Sequence, residues 1–294
     1  MPVDLVLPVM GGTSDNRVAV AVADPAHAPQ LTRTAVDIAR ERDGDVIVLS
    51  VLVTERESPF SLFTDDVIIR EFGGEQQEIL DQVVETAQGT VPVRGQLLVS
   101  YDIVRALTDA VVKFDCDTLV IGWHERERPT EIVLGSNADR IVARAPCDVL
   151  VEKIGPADGV ESILVPIAEG PHAKLAADVA RAIALENDAH VHLLRVVSDG
   201  KIEAEGLLPE IADRIEPVQV WTEVRTGNAI KAVVDEASKH DITVLGSTRR
   251  GMLRRQLVGT VPQAVGRQSE TTVIIARRAV GIRPRLNRLI RETL

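Results

Sequence analysis

Aromatic side chains are nearly absent from this chain: four Phe, two Trp and one Tyr among 294 residues. Its cores must therefore be built from Val, Ile, Leu and Ala. Cysteine is as scarce. Cys116 and Cys147 give no disulfide framework and no metal-ligand spacing; both precede apolar runs and read as reduced core thiols. Lysine is short too, 6 against 27 Arg, in a chain of net charge -11. That balance speaks against a general nucleic-acid binder. An acidic, Lys-poor surface points to a salt-adapted organism such as a halophilic archaeon, and a GC-rich genome that favours Arg explains the same bias. Long apolar runs are also lacking. The longest, "VIVLSVLV", falls far short of the roughly 20 residues of a spanning helix. The start, "MPVDLVLPVMGG", has no basic region and carries Asp4, so a secretory signal is not expected and a cytoplasmic location is.

What the chain does contain is itself, twice. Residues 17–52 match 162–197 at a constant offset of 145, with Ala23 on Ala168. Later segments match at an offset of 124: Gly122 on Gly246, Gly135 on Gly259, Val149 on Val273. The difference of 21 residues is an insertion in the first half between its second and third strands, around 53–75. A repeat this long is a domain duplication rather than a solenoid unit. The expected organisation is a leader (1–16), a first domain (17–154), a linker (155–161), a second domain (162–278) and a basic tail (279–294).

Each half alternates apolar runs with helical spacing. In the second, "ILVPIA", "HVHLLRVV", "VQVWTEV", "ITVLG" and "TTVIIAR" read as strands; "KLAADVARAIALEN", "NAIKAVVDEASKH" and "VPQAVGRQ" read as helices. Continuous Val/Ile strands separated by helices imply a parallel sheet covered on both faces. The fold class is α/β, doubly wound, with its crevice beyond the carboxyl ends of the strands.

A glycine frame falls at that edge in each half. Gly246 ends the fourth strand of the second half, and Gly259-Thr260 opens the following helix. Thr260 suits an N-cap, and Pro262 falls in the first turn, where a missing N–H is tolerated. Free amides at a helix start attract phosphate, and glycine lets backbone come close. The first half repeats the frame with Gly122 and Gly135-Ser136.

With these motifs both halves resemble the universal stress protein A family, whose nucleotide-binding members carry G-x2-G-x9-G-[S/T] between the fourth strand and the last helix. The likeness covers about residues 17–278 and extends to transporter-associated and haloarchaeal forms. It implies two Rossmann-like domains of the adenine nucleotide alpha hydrolase-like type. Each would be a five-stranded parallel sheet ordered 3-2-1-4-5, the two pairing through their last strands as an internal pseudo-dimer. It also implies ATP or another adenine nucleotide as cofactor, and a second copy of the chain or a membrane transporter as partner.

Both halves depart from the motif. The middle glycine is Arg249 in the second half and Glu125 in the first. Between the outer glycines the second loop holds Arg249, Arg250, Arg254 and Arg255 with no acid; the first holds Arg126 and Arg128 against Glu125, Glu127 and Glu131. A phosphate beside those carboxylates would meet repulsion on the order of several kcal/mol in a dry crevice. The resemblance therefore places nucleotide in the second domain, at Gly246, Arg249, Arg250, Gly259, Thr260, Val261 and Ala168. Gly122, Glu125, Gly135 and Ser136 form a degenerate first site. The family's first-strand Asp is replaced by Ala23 and Ala168, with Asp24 and Glu169 one residue later. That departure resembles domains that work with transporters.

Other signals are weaker. His190 and His192 share one face of a strand, but no third ligand stands beside them, and no metal site is expected. "MGGTSDN" is similar to a pyrophosphatase loop that needs a helix directly after it; a strand follows here. No nucleophile elbow, P-loop or catalytic carboxylate pair is present. The inserted "SPFSLF" could lid a crevice or pack on the other domain. In the tail, Leu286, Leu289 and Ile290 fall at helical spacing among arginines, which suits a short basic helix against an anionic surface. The expectation is a binding or regulatory protein, not an enzyme. Two readings compete: an adenine-nucleotide sensor using the second domain, and a nucleotide-free scaffold or transporter regulator peripheral to the membrane. A nucleotide hydrolase is the distant third.

Overall fold

Alternating strands and helices follow from the alternating sequence. The computed structural model describes residues 16–55, 64–87, 89, 91–123, 136–156, 159–197, 206–247 and 260–279. Residues 1–15, the SPFSLF segment and 280–294 lie outside the described residues. Two compact units result, and they do not follow the two sequence halves.

One unit holds, of the described residues, those within 16–122, Arg144–Asp148 and Ala279. Its strands are β1 (Arg17–Ala21), β2 (Asp45–Val53), β3 (Val93–Ser100) and β4 (Thr118–Gly122), joined by α1 (Ala28–Glu41), α2 (Asp65–Phe72), α3 (Gly74–Ala87) and α4 (Ile103–Lys113). They are parallel in the order β3-β2-β1-β4. Ile38, Ile47, Leu49, Leu80 and Leu119 are fully buried, each contributing about 1.5–3 kcal/mol relative to exposure. The Asp102 side chain caps α4 by accepting from Val104 and Arg105 N–H. At the amino edge the Arg17 guanidinium clamps both carboxylate oxygens of Asp45 at 2.9 Å.

The second unit holds α5 (Ser136–Arg144) and β5 (Asp148–Lys153) except for residues at their junction, and the whole second repeat. That repeat runs β6 (Ser162–Ile167), α6 (Pro171–Asn187), β7 (His190–Val197), α7 (Leu207–Ile215), β8 (Val220–Thr226), α8 (Ala229–Ala237), β9 (Ile242–Gly246), α9 (Thr260–Gln268) and β10 (Thr272–Arg277). Its strand order is β5-β10-β9-β6-β7-β8, all parallel except β5 against β10. The order 3-2-1-4-5 holds in the second repeat, and the first four strands of the first half follow the same order. The antiparallel pairing of last strands is present, with Val273 opposite Lys153 and Arg277 opposite Val149. Beyond β5 the chain passes close under β10: a β-carbon at Gly155 would sit 2.4 Å from the Thr272 nitrogen. Scarce aromatics are replaced by small side chains. In α6, Ala173, Ala176, Ala177, Ala180, Ala182 and Ala184 are all buried.

The insertion is smaller than the offsets imply. Val93 pairs with Val46 as Val220 pairs with Val191, so the offset is already 127 at β3 and the gap before it holds 18 extra residues. The remaining three are spread between β3 and β4. Among the described residues, the insertion contributes α2.

Candidate functional site

At the carboxyl edge of the second unit, Gly246 is the last residue of β9 and Thr260 the first of α9. Ser247 N–H donates to the Ala276 carbonyl at 2.8 Å, tying the end of β9 to β10. Thr260 is exposed, Val261 half-buried and Pro262 buried in the first turn. Arg249, Arg250 and Gly259 lie outside the described residues. Gly246 has a packing reason that its motif does not reveal. A β-carbon there would stand 2.7 Å from the His172 carbonyl carbon and 2.8 Å from the Ala173 nitrogen, so the first turn of α6 crosses β9 at backbone contact. His172 in turn accepts the Arg278 N–H on Nδ1 at 2.9 Å.

Gly122 is placed differently. Among the described residues, a β-carbon at Gly122 would meet only the end of Leu31, at 3.4 Å. Ser136 opens α5, as Thr260 opens α9; Glu125 and Gly135 lie outside the described residues.

The two shifted acids are engaged locally. Asp24 accepts the Ala26 N–H at 2.9 Å and stands 3.7 Å from His27, which fixes the turn into α1. Glu169, beside the half-buried Ala168, meets Arg195 at 3.4 Å, and Arg195 also donates to the Ile167 carbonyl at 3.1 Å. A β7 side chain thus reaches across the end of β6.

A second cluster stands at the opposite, amino-terminal edge of the same unit, where β7 begins and where α8 returns to β9. His192 Nδ1 and His240 Nε2 are 3.3 Å apart. Glu236 Oε1 lies 3.7 Å from the first and 3.6 Å from the second. His192 Nε2 meets Glu223 Oε2 at 3.2 Å. Arg225 holds both carboxylates, donating to Glu223 and, at 2.6 Å, to Glu236 Oε2; Lys239 donates to the same Oε2 at 2.9 Å. Burial works to raise the Glu236 pKa, but the bonds from Lys239 and Arg225 outweigh it and hold the group down at about 2. Burial, then the neighbouring His192, pushes His240 below its ordinary value, so it is neutral near neutrality. His190 lies next to this group, 4.3 Å from the half-exposed Trp221 ring. The sequence offers His190 and His192 without a third ligand; the fold supplies Glu236 and His240. Their spacing of four along "EASKH" is the one signal that could have found them.

A universal stress protein family profile matches residues 16–153 and 200–277. The chain belongs to the universal stress protein family. Among solved structures, it is similar to a universal stress protein from Archaeoglobus fulgidus DSM 4304, at 17% identity and TM-score 0.63, over 91% of this chain and 98% of that one. A putative universal stress protein from Pseudomonas aeruginosa UCBPP-PA14 gives 18% and 0.57, over 91% and 95%. The cytoplasmic domain of a prokaryotic cation chloride cotransporter gives 14% and 0.60, over 92% and 98%. At these identities the likeness is one of fold. No match was found among curated proteins. Among the described residues of this universal stress protein, no helix is long and apolar enough to cross a membrane.

Proposed function

We propose that this universal stress protein is a non-catalytic binding and regulatory module whose second half takes an adenine nucleotide by its phosphates. The observation that carries this reading is the placement of Gly246 at the end of β9 and Thr260 at the start of α9. The segment between them brings four arginines and no acid. A helix start with free amides and a hydroxyl, faced by cations, suits a polyphosphate. Arg249, Arg250, Gly259, Thr260 and Val261 would line the phosphates, with Ala168 on the adenine side. The first half, whose loop is acidic, would stay empty. Calorimetry of the intact chain with ATP, ADP and AMP tests this. Binding of one nucleotide per chain is expected, lost in the Arg249→Glu, Arg250→Glu double variant, while Glu125→Gly at most improves the first site. Unchanged affinity in the double variant defeats the assignment.

One observation favours a second reading, a nucleotide-free regulator of a membrane transporter. Asp24 and Glu169, the acids nearest the adenine side, are held by a local turn and by Arg195. A transporter's cytoplasmic domain also shares the fold. In this reading the basic tail (279–294) contacts the membrane surface or the partner. Calorimetric silence with all three nucleotides, together with cross-linking of the chain to a permease in cells, would favour it over the first.

A further inference from the structure

We propose that His192, Glu236 and His240 form a binding site for a divalent transition-metal ion, zinc in the first place. The three facing atoms make a triangle with edges of 3.3, 3.6 and 3.7 Å. A single point lies about 2 Å from all three, the bond length that Zn²⁺ makes to imidazole nitrogen and carboxylate oxygen. Edges of 3.6 and 3.7 Å are too long for hydrogen bonds. Glu236 Oε1, on a side chain 7% exposed, faces both ring nitrogens at these distances.

The surroundings suit a metal ligand set. Glu223 stands at 3.2 Å from the far nitrogen of His192. A proton held there leaves Nδ1 with its lone pair, the carboxylate–histidine arrangement common around metals. Arg225 and Lys239 both occupy Oε2 of Glu236, which fixes the carboxylate and leaves Oε1 towards the rings. Two imidazoles and one carboxylate favour zinc, cobalt or nickel over magnesium or calcium. His192 is 12% exposed in its side chain, which leaves an approach for the ion.

The duplication provides an internal comparison. At the same repeat offsets, Ile47 stands where His192 does and Cys116 where His240 does, and both are buried at 1% exposure. Val112, which is exposed, stands where Glu236 does, so the first repeat has no counterpart of the triad. The site lies at the amino-terminal edge, opposite the carboxyl edge invoked for nucleotide, and does not depend on that reading.

The test is titration of tag-free, chelator-stripped full-length protein with Zn²⁺ in competition with a chromophoric chelator, repeated with Co²⁺ read by visible absorption. One ion per chain is expected. His192→Ala and His240→Ala should each weaken binding at least hundredfold, and Glu223→Gln about tenfold. Nitrogen-15 spectra of the unsubstituted protein guard against variants that fail to fold: of six histidines, His192 and His240 should shift on adding Zn²⁺. Absence of binding at micromolar zinc, affinity unchanged in both alanine variants, or shifts confined to other histidines would overturn the proposal.

Discussion

Gly266, in the last turn of α9, lies against the six-membered ring of the buried Trp123: a β-carbon added there would stand 1.9 Å from Cζ3 and 2.2 Å from Cη2. Trp123 is 6% exposed, and its backbone N–H donates to the Glu152 carbonyl at 2.7 Å, so the residue is anchored and its ring is enclosed. Gly266→Ala gains about 1 kcal/mol of helix propensity but overpacks a filled site, which costs roughly 1–3 kcal/mol. A net loss of about 1–2 kcal/mol is expected. In a Trp123→Ser background the same change should be neutral or stabilising. Urea unfolding of the four proteins of this cycle measures the coupling, and a coupling near zero would show that the two residues do not constrain each other.

Gly246 and Gly122 occupy the same place in the two repeats but not in packing. Gly246→Ala must move the backbone of α6 away from β9 and should lose about 1–3 kcal/mol. Among the described residues, Gly122→Ala presses only on the end of the Leu31 side chain, and it should change stability by less than about 0.5 kcal/mol. Equal shifts in unfolding midpoint would contradict this asymmetry. The comparison also guards against misreading a binding assay, because a Gly246 variant loses structure whether or not phosphate binds beside it.

Asp241 joins the start of β9 to the start of β6. Its Oδ2 accepts from Glu161 N–H, Ser162 N–H and the Ser162 hydroxyl, each at 2.9 Å. Asp241→Ala leaves those donors without their acceptor and should lose about 2 kcal/mol. Asp241→Asn keeps one accepting oxygen and should lose less. Thermal unfolding that ranks the two variants the other way would refute the account.

Cys116 is a packing residue rather than a reactive one. Burial pushes its thiol up to about 12, and the nearby Arg17 offsets this only in part. In a Cys147→Ser protein, a thiol reagent at pH 8 should modify Cys116 at least hundredfold more slowly in the native state than after unfolding, because little thiolate forms. Comparable rates in the two states would place the sulfur at the surface.

The duplication was legible to the residue where the structure is regular: β4, α5 and β5 fall on β9, α9 and β10 at the offset of 124 read from the glycines. The offset at β3 was not, because "VRGQLLVS" and "VWTEVRT" share no pattern beyond a strand, and only their pairing to β2 and β7 fixes the register. The position of Gly246 was readable; its contact with the backbone of α6 was not, since a glycine motif does not say which neighbour needs the space. His192 could be put on a strand face from its alternation with His190. The spacing of four pairs Glu236 with His240, but only the packing of α8 brings the pair to His192, and the spacing does not say which strand they meet. The same holds for Trp123 on Gly266, residues far apart in sequence that meet through the fold.

The pairing of β5 with β10 has a consequence for the order of events at the ribosome. Lys153 is made 120 residues before its partner Val273. At ordinary bacterial-type elongation of about 5–20 residues per second, that is a wait of roughly 6–24 s. Throughout it, the hydrogen-bonding edge that β10 will cover is open to any other strand. Two nascent chains on one message would each carry the same open edge. The half-made chain is a species that no equilibrium measurement samples, and slow codons placed between residues 153 and 272 would lengthen its exposure.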